Sequence, residues 1–335
     1  MRQINYSLNV NPYGPPKSFK KVINQRYKYL ADNVDYNYTA AKSALANLHG
    51  VKIENILISS GPAEILHIAL DTLKIRKVLI PTPSALLYQQ ACKKHGCKVI
   101  PFFLDKNDEF VIDGQKLISS MDDVDLVIIS NPNNPTSQII DKTQMSIILD
   151  YCQHKGIYLI IDESYADFVS ADISSVKLVE RFANVIILRS LADYFALRGL
   201  GFSYCVCSQS LSGLMQSNQI PGMVNQLALH GFETLLSDYK YIKKTKAWLL
   251  SEPKRFYKKI SMLGGVIAYN PYANYIFIEL EQIPSATLCD RLEAKGVKVC
   301  NCNNRGIIDG QYIRISIKDK RSNDKFLDIF SGCLL

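Results

Sequence analysis

The chain has 335 residues, of which 47% are hydrophobic and 21% are charged, so we expect a folded globular protein rather than a mainly disordered one. Its formal net charge of +8 is mildly basic, but the lysines and arginines are scattered, and the densest cluster, between Lys240 and Lys246, is typical of a solvated helical face. The sequence shows neither a run of eighteen apolar residues nor a signal peptide, so we expect a cytoplasmic protein that binds neither membranes nor nucleic acid.

The first 40 residues contain many residues that interrupt regular structure. Proline removes a backbone donor, and asparagine and glycine favour turns. We therefore expect loop character here, in a segment that folds back to join a smaller C-terminal domain. The residues behind this expectation are Asn9, Asn11, Pro12, Gly14, Pro15 and Pro16.

Short apolar runs rich in β-branched residues follow, separated by segments of helical length. Apolar strands that alternate with helices predict a mostly parallel sheet covered on both faces, here a large α/β domain over residues 41–210. The predicted strands are 55–59, 77–80, 97–100, 125–129, 157–161, 184–188 and 202–206. Helical periodicity is clearest at 62–73, 84–95 and 141–155.

The pattern changes after residue 210. Long helical segments occupy residues 211–262, and apolar strands follow near 273–279, 297–300 and 312–317. This order predicts an interdomain helix and a smaller α+β domain over residues 211–335, which the first 40 residues complete.

Nine cysteines are present, and without a secretory signal we expect them to be reduced thiols. Cys205 and Cys207 form a pair with one intervening residue, as do Cys300 and Cys302, which places each pair on one face of a strand. Zinc ligands usually have two to four intervening residues, so the spacing favours small buried side chains over a metal site.

Polar segments follow four of the predicted strands, at 59–64, 130–136, 162–165 and 189–201. Ligands of parallel α/β sheets bind at the carboxyl ends of the strands, so we expect these segments to meet at one site. The first of them opens a helix, whose backbone N–H groups can hold an anion.

The order of these segments is more specific than any one of them. The motif NPNNPT, then an apolar strand into DESY, then a strand into RSLADYFALRGL, resembles the fold type I pyridoxal-phosphate enzymes. The resemblance is greatest to the class I/II aminotransferases, in the group of threonine-phosphate decarboxylase and histidinol-phosphate aminotransferase, and it extends from Ser7 to Lys318. It implies a fold type I PLP-transferase-like α/β architecture, with a large mostly parallel domain and a smaller α+β domain, and pyridoxal phosphate or pyridoxamine phosphate as the cofactor.

The resemblance also implies a role for individual residues at the cofactor. Asn134 and Tyr165 match residues that bind the ring oxygen, and Asp162 matches the carboxylate that pairs with the pyridine nitrogen. The phosphate-cradling helix start is matched by Gly61, Pro62 and Ala63.

Other matched residues concern the substrate and a partner subunit. Asn11 and Gly14 match the N-terminal segment that closes over the substrate, and Arg314 matches the arginine that clamps the substrate carboxylate. Tyr38 matches a tyrosine lent by the partner subunit, so the resemblance implies a homodimer.

Several positions depart from the family pattern. Asp193 stands where the family has the lysine that forms the Schiff base, and no lysine occurs between Lys177 and Lys240. Ala192 lacks a phosphate-binding hydroxyl, and Gly201 lacks the arginine that binds the phosphate, for which Arg198, three residues earlier, is an alternative. A fourth departure is Ala85, where a ring-stacking aromatic is expected.

Three hypotheses follow from this mixture of retained and lost residues. The first is a degenerate homologue that forms no internal aldimine and binds an amino-acid-like or phosphorylated ligand, or a partner. The second is an enzyme that holds pyridoxal or pyridoxamine phosphate non-covalently, with Asp193 as general base and Tyr165 as the other catalytic residue. The third is a cofactor-free enzyme in a repurposed pocket.

Overall fold

The structure is a computed structural model that describes residues 4–31, 35–169, 172–303 and 310–334. The strands are β1 (Ile4–Asn5), β2 (Ile56–Ser59), β3 (Lys77–Thr82), β4 (Lys98–Phe103), β5 (Leu126–Ser130), β6 (Tyr158–Asp162), β7 (Val185–Ser190), β8 (Ser203–Cys207), β9 (Val266–Ala268), β10 (Tyr275–Leu280), β11 (Val297–Lys298), β12 (Cys300–Asn301) and β13 (Gln311–Ser316). The α-helices are α1 (Lys17–Arg26), α2 (Thr39–His49), α3 (Pro62–Thr72), α4 (Leu86–Lys94), α5 (Gly114–Ile118), α6 (Lys142–Lys155), α7 (Gln209–Ser217), α8 (Gln226–Leu236), α9 (Tyr239–Ile260), α10 (Ser285–Ala294) and α11 (Lys320–Leu334).

A seven-stranded sheet in the order β2-β8-β7-β6-β5-β3-β4 forms the centre of the molecule. β3 to β7 pair in parallel, and β8 runs antiparallel to both β2 and β7. The predicted class, a mostly parallel α/β sheet, is confirmed. The seven predicted strands correspond to β2 through β8, with ends that differ by up to three residues.

The central strands are buried along their whole length because helices cover both faces of the sheet. Successive side chains of a strand point to opposite faces. Accordingly, Ile129 and Ile161 belong to the larger apolar cluster, whereas their neighbours Ile128 and Ile160 belong to a second cluster on the other face. This burial on both faces explains why the strand sequences are continuous apolar runs and do not alternate between apolar and polar residues.

A four-stranded antiparallel sheet, β12-β13-β10-β9, lies in the C-terminal part of the chain. β1 pairs in parallel with β11, so the N-terminal segment is hydrogen-bonded to the C-terminal part of the chain. The register of β10 and β13 places Arg314 opposite Phe277. That register holds Arg314 in the middle of a buried strand.

The prediction of loop character over the first 40 residues is wrong for Lys17–Arg26, which forms α1. Phe19 and Val22, three residues apart, form a buried face on this helix, and α1 packs against α8. Pro16 immediately precedes the helix, where a missing N–H costs nothing. The proline-rich segment is therefore the start of a helix as well as a loop.

Within the described residues, no helix combines the length and the apolar character needed to cross a bilayer. The longest helix, α9, carries the lysine cluster, and Lys240, Lys243 and Lys246 are exposed on it. The buried side of α9 includes Thr245, Trp248 and Phe256.

Candidate functional site

A cavity of about 430 Å³ opens at the carboxyl ends of the parallel strands. The four polar segments noted in the sequence all contribute to its wall. The lining residues are Ser60, Gly61, Pro62, Ala63, Ala85, Leu86, Leu87, Tyr88, Ser130, Asn134, Asp162, Ser164, Tyr165, Ser190, Ala192, Asp193, Arg198, Gly201 and Ser203. Of the residues for which the resemblance implies a role, six line the cavity directly, together with Asp193: Gly61, Pro62, Ala63, Asn134, Asp162 and Tyr165.

Asp162 is the last residue of β6 and forms one side of the cavity. Its Oδ2 accepts a hydrogen bond of 2.7 Å from the Tyr88 hydroxyl, and its Oδ1 accepts one of 2.9 Å from the backbone N–H of Ser164. Burial raises the pKa of the Asp162 carboxyl, and the hydrogen bonds from Ser164 and Tyr88 oppose that rise. Both oxygens of Asp162 are therefore already held by the protein.

The loop after β5 positions Asn134. The side chain of Asn131 fixes this loop, because its Oδ1 accepts from the backbone N–H of Ile140 at 2.9 Å. Asn134 Oδ1 then accepts a hydrogen bond from Nη1 of Arg314, and Nη2 of Arg314 donates to the carbonyl of Ser7. Arg314 does not line the cavity, and it reaches the site through Asn134.

Tyr165 and Asp193 both line the cavity. The Tyr165 hydroxyl lies close enough to the Asp193 carboxylate for each group to shift the pKa of the other. Asp193 Oδ1 forms an ion pair of 3.1 Å with Nη1 of Arg198, and the side chains of Asp193 and Arg198 are 13% and 48% exposed. Burial raises the pKa of the Asp193 carboxyl, while Arg198 and Tyr165 oppose the rise.

The start of α3 forms the opposite end of the cavity. Pro62 occupies the first helical position and has no N–H, so Ala63 is the first residue of the helix that can donate one. Glu64 Oε2 accepts hydrogen bonds of 2.7 Å from both the backbone N–H and the hydroxyl of Ser60. The helix start therefore offers few free donors to an anion.

Gly201 closes the same end through its backbone. Its φ of +66° lies in the left-handed region that favours glycine. A Cβ at this position would overlap the carbonyl oxygen of Ser60 and lie 2.9 Å from the carbonyl carbon. In this backbone conformation position 201 accommodates no side chain.

The N-terminal residues assigned to substrate closure lie outside the cavity wall. The backbone N–H of Asn11 donates to the carbonyl of Asp193 at 3.0 Å, and its side-chain amide donates to Tyr194 and Thr245. The carbonyl of Gly14 accepts a hydrogen bond of 2.9 Å from the Tyr241 hydroxyl. These contacts hold the segment against the loop that carries Asp193.

Tyr38 lies at the start of α2 with a φ of +56° and is buried in its own chain. Its hydroxyl is buried near the backbone of Gly222 and Val224, has no hydrogen-bond partner among the described residues of its own chain and does not line the cavity. The role that the resemblance implies for Tyr38, in the cavity of a partner subunit, stays a prediction.

Sequence reasoning missed one contributor to the site, Tyr88. Asn9 is buried but does not line the cavity, and both polar atoms of its side chain lack a hydrogen-bond partner among the described residues. Tyr88 is separated by 74 residues from its partner Asp162, and no local pattern connects them.

The paired cysteines lie apart from the chemistry of the cavity. Cys205 and Cys207 are buried in β8, Cys302 is buried, and Cys300 is half-buried. None of the nine cysteines, all of which lie in the described residues, is joined in a disulfide. Among the described residues, no group of three or more histidine, cysteine, aspartate or glutamate side chains is arranged to hold a metal ion.

The comparisons with known proteins agree on one family. The family model for aminotransferase class I and II matches residues 2–330. Threonine-phosphate decarboxylase of Salmonella typhimurium is 29% identical over 325 residues, which cover 97% of this chain and 89% of that protein. Histidinol-phosphate aminotransferase 2 of Archaeoglobus fulgidus is 25% identical over 97% of this chain and 91% of its own.

Solved structures agree with these relatives. The histidinol-phosphate aminotransferase of Clostridium acetobutylicum superposes with a TM-score of 0.93 at 31% identity, over 99% of each chain. The L-threonine-O-3-phosphate decarboxylase of Porphyromonas gingivalis has the same fold, with a TM-score of 0.88 at 19% identity over 99% of each chain.

Proposed function

Because this chain belongs to the aminotransferase class I and II family, we propose that it keeps the family's cavity but binds a small amino-acid-like ligand there without a covalent cofactor. The observation that carries the proposal is Asp193, which is ion-paired with Arg198 at the position that the resemblance assigns to the Schiff-base lysine. A carboxylate is no amine and forms no imine with an aldehyde. None of the described residues that line the cavity is a lysine that could replace it.

The opposite end of the cavity supports the same proposal. Pyridoxal phosphate is the cofactor that the family implies, and its phosphate needs several donors in one place. Here Glu64 engages the two donors of Ser60, Pro62 has no N–H, and the backbone leaves no room for a side chain at Gly201. In this proposal the residues present do not fit a covalently held pyridoxal phosphate.

The retained polar groups support ligand binding. The Tyr165 hydroxyl and the Asn134 amide line the cavity, and Arg314 stands behind Asn134. The relatives are named for threonine phosphate and histidinol phosphate, and both compounds contain an amino group. A ligand of this kind, free or phosphorylated, is compatible in size with a cavity of about 430 Å³.

Reductive trapping tests the proposal. Purified protein is incubated with pyridoxal phosphate, reduced with borohydride and digested, and the peptides are mapped by mass spectrometry. We expect no stoichiometric lysine adduct in the cavity and no saturable visible absorbance band. A stoichiometric adduct on any lysine that reaches the cavity would refute the proposal. Mass spectrometry of the native protein tests the binding function directly, by the mass of any ligand that co-purifies.

A second candidate function is a lysine-independent enzyme that holds pyridoxamine phosphate non-covalently. It is favoured by one observation, that Asp162, Asn134 and Tyr165 line the same cavity. Titration with pyridoxamine phosphate distinguishes the two functions. A saturable absorbance change that Asp162→Asn abolishes would support the enzyme, whereas no change is expected for the binding protein.

The proposal extends to a cytoplasmic homodimer. Tyr36, Ile220 and Met223 are 58%, 66% and 51% exposed, and Gly222 lies beside the Tyr36 ring. An exposed apolar patch beside Tyr38 suits an interface with a second copy of the chain. Light scattering at micromolar concentration tests it: twice the chain mass is expected, and a monomer would contradict it.

A further inference from the structure

We infer that the cavity selects a non-phosphorylated amino acid, whose ammonium group binds Asp193 and whose carboxylate binds Arg198; this deepens the proposed function and rests on it. The inference concerns a pair of side chains that the family pattern does not contain. Asp193 and Arg198 already form an ion pair with each other. The ligand binds at this pair, with its ammonium group on Asp193 and its carboxylate on Arg198.

The charges of the cavity wall favour a ligand with a cationic group. Of the described residues that line it, Asp162 and Asp193 are acidic and Arg198 is basic. Arg314 lies behind Asn134, with its two terminal nitrogens bonded to Asn134 and to the carbonyl of Ser7. Carboxylates on a low-dielectric wall attract a cation and repel a phosphate dianion.

Asp193, and not Asp162, has capacity for the ammonium group. Both oxygens of Asp162 accept a hydrogen bond from the protein, from Tyr88 and from Ser164. At Asp193 the hydrogen bond from Arg198 falls on Oδ1, and the other oxygen, Oδ2, has acceptor positions of its own. An ammonium group with three donors can therefore bind Oδ2 of Asp193.

Arg198 is placed to take the carboxylate of the same ligand. Its side chain is 48% exposed, so it is not packed into a single position, and only Nη1 is bonded to Asp193. The planar guanidinium has five donors, which suit two-point recognition of a carboxylate. A zwitterion thus satisfies both members of the pair at once.

A phosphate group finds few partners at the other end of the cavity, where the backbone N–H of Ala63 is the first that the helix can donate. Glu64 places its own carboxylate on both donors of Ser60, at 2.7 Å each. Pro62 lacks an N–H, and Gly201 has no side chain and no room for one. A phosphorylated ligand would place its negative charge close to Glu64.

Calorimetric titration of the full chain tests the inference. The twenty proteinogenic amino acids are screened first, and O-phospho-L-serine, L-serine, ethanolamine and glycerate are compared in parallel. We expect at least one amino acid to bind. For that amino acid, replacing the ammonium by a hydroxyl or adding a phosphate should weaken binding at least tenfold.

Variants assign the two ends of the ligand. Asp193→Asn should weaken binding of the amino acid and of its decarboxylated amine about tenfold or more. Arg198→Gln should weaken the amino acid similarly and leave the amine within about twofold. Asp150→Asn is the matched control, because it breaks an exposed pair with Arg181 of 2.8 Å outside the cavity, and it should change nothing. Thermal melts verify that each variant is folded.

The outcomes separate this inference from the proposed function. Tighter binding of the phosphorylated compound than of its parent overturns the inference and leaves the binding function standing. Unchanged affinity in folded Asp193→Asn overturns it as well, and so does the absence of binding by every amino acid. A stoichiometric lysine adduct with pyridoxal phosphate refutes the proposed function itself.

Discussion

At one end of the cavity, Tyr88 and Asp162 hold each other through a side-chain hydrogen bond, whereas at the other end Gly201 and Ser60 meet through their backbones. The first end keeps polar groups that the family pattern contains. At the second end, Ala192 and Gly201 stand where the resemblance implies a hydroxyl and an arginine for a phosphate, and the backbone at Gly201 leaves no room for a side chain. A missing side chain can be restored by one substitution only where the backbone has room for it, so the two ends respond differently to substitution.

A buried ion-pair network lies behind the first end of the cavity, the end that contains Asp162 and Tyr88. Arg189, 5% exposed, pairs with Glu163 at 2.9 Å and with Asp167 at 2.7 Å, and Glu163 directly follows Asp162. The hydroxyl of Ser174 donates to Glu163 at 2.7 Å. The segment that carries Asp162 and Tyr165 is therefore fixed from behind.

The largest expected effect tests that support. Arg189→Met leaves Glu163 buried without its cation, which should lower the free energy of unfolding by about 3–5 kcal/mol. Arg181→Met, which removes an exposed pair with Asp150, should lower it by about 0–1 kcal/mol. Urea denaturation measures both. Equal losses in the two variants would mean that the network does not support this end of the cavity.

The close approach of Gly201 to the backbone of Ser60 is tested by Gly201→Ala. A left-handed φ costs about 1–2 kcal/mol for a residue with a Cβ, and overlap with the carbonyl of Ser60 adds about 1–3 kcal/mol. Gly199→Ala in the same loop is the control, because a Cβ there meets nothing within 4 Å. In urea denaturation, Gly201→Ala should lose about 3 kcal/mol more unfolding free energy than Gly199→Ala. A Gly201→Ala protein as stable as the control would show that the backbone here has room for a side chain.

The hydrogen bond at the first end is tested by Tyr88→Phe. The change removes a donor from a buried carboxylate at 2.7 Å, which should cost about 1.5–3 kcal/mol of unfolding free energy. Tyr158→Phe, a half-buried tyrosine at the start of β6, is the matched control. If both variants lose the same small amount, Asp162 does not depend on Tyr88.

The smallest expected effect is a pH dependence at Asp193. Burial raises the pKa of Asp193, so the folded state binds the proton more tightly than the unfolded state does. The stability contribution of this group is present below the ordinary carboxyl range, near about pH 4, and is lost as the pH rises through the raised pKa. Asn at this position does not titrate. Relative to the wild type, Asp193→Asn should therefore become more stable as the pH rises.

Urea denaturation of both proteins between about pH 4 and pH 8 measures this difference. A difference that stays constant, or that falls as the pH rises, would contradict a raised pKa at Asp193. Asp150→Asn, which removes the exposed partner of Arg181, is measured alongside as the control for loss of a surface carboxylate.

The sequence by itself determined the class of fold, the strands of the large sheet and the segments that form the site. Apolar runs buried on both faces and helices between them are local patterns; Asp162 directly follows one such run, and Asn134 lies in the loop after another. The carboxyl ends of parallel strands meet at one edge, so these residues were placed together correctly. The helix at Lys17–Arg26 was missed, because its buried face is defined by α8, which lies some 200 residues away in the chain.

Only the tertiary structure decided what the site residues do to one another. Arg314 is 180 residues from Asn134 in the chain, and Tyr88 is 74 residues from Asp162. The approach of Gly201 to Ser60 depends on the pairing of β2 with β8, which brings Ser59 opposite Ser203. Hydrogen bonds and close approaches of this kind depend on distances in space, which local periodicity along the chain does not specify.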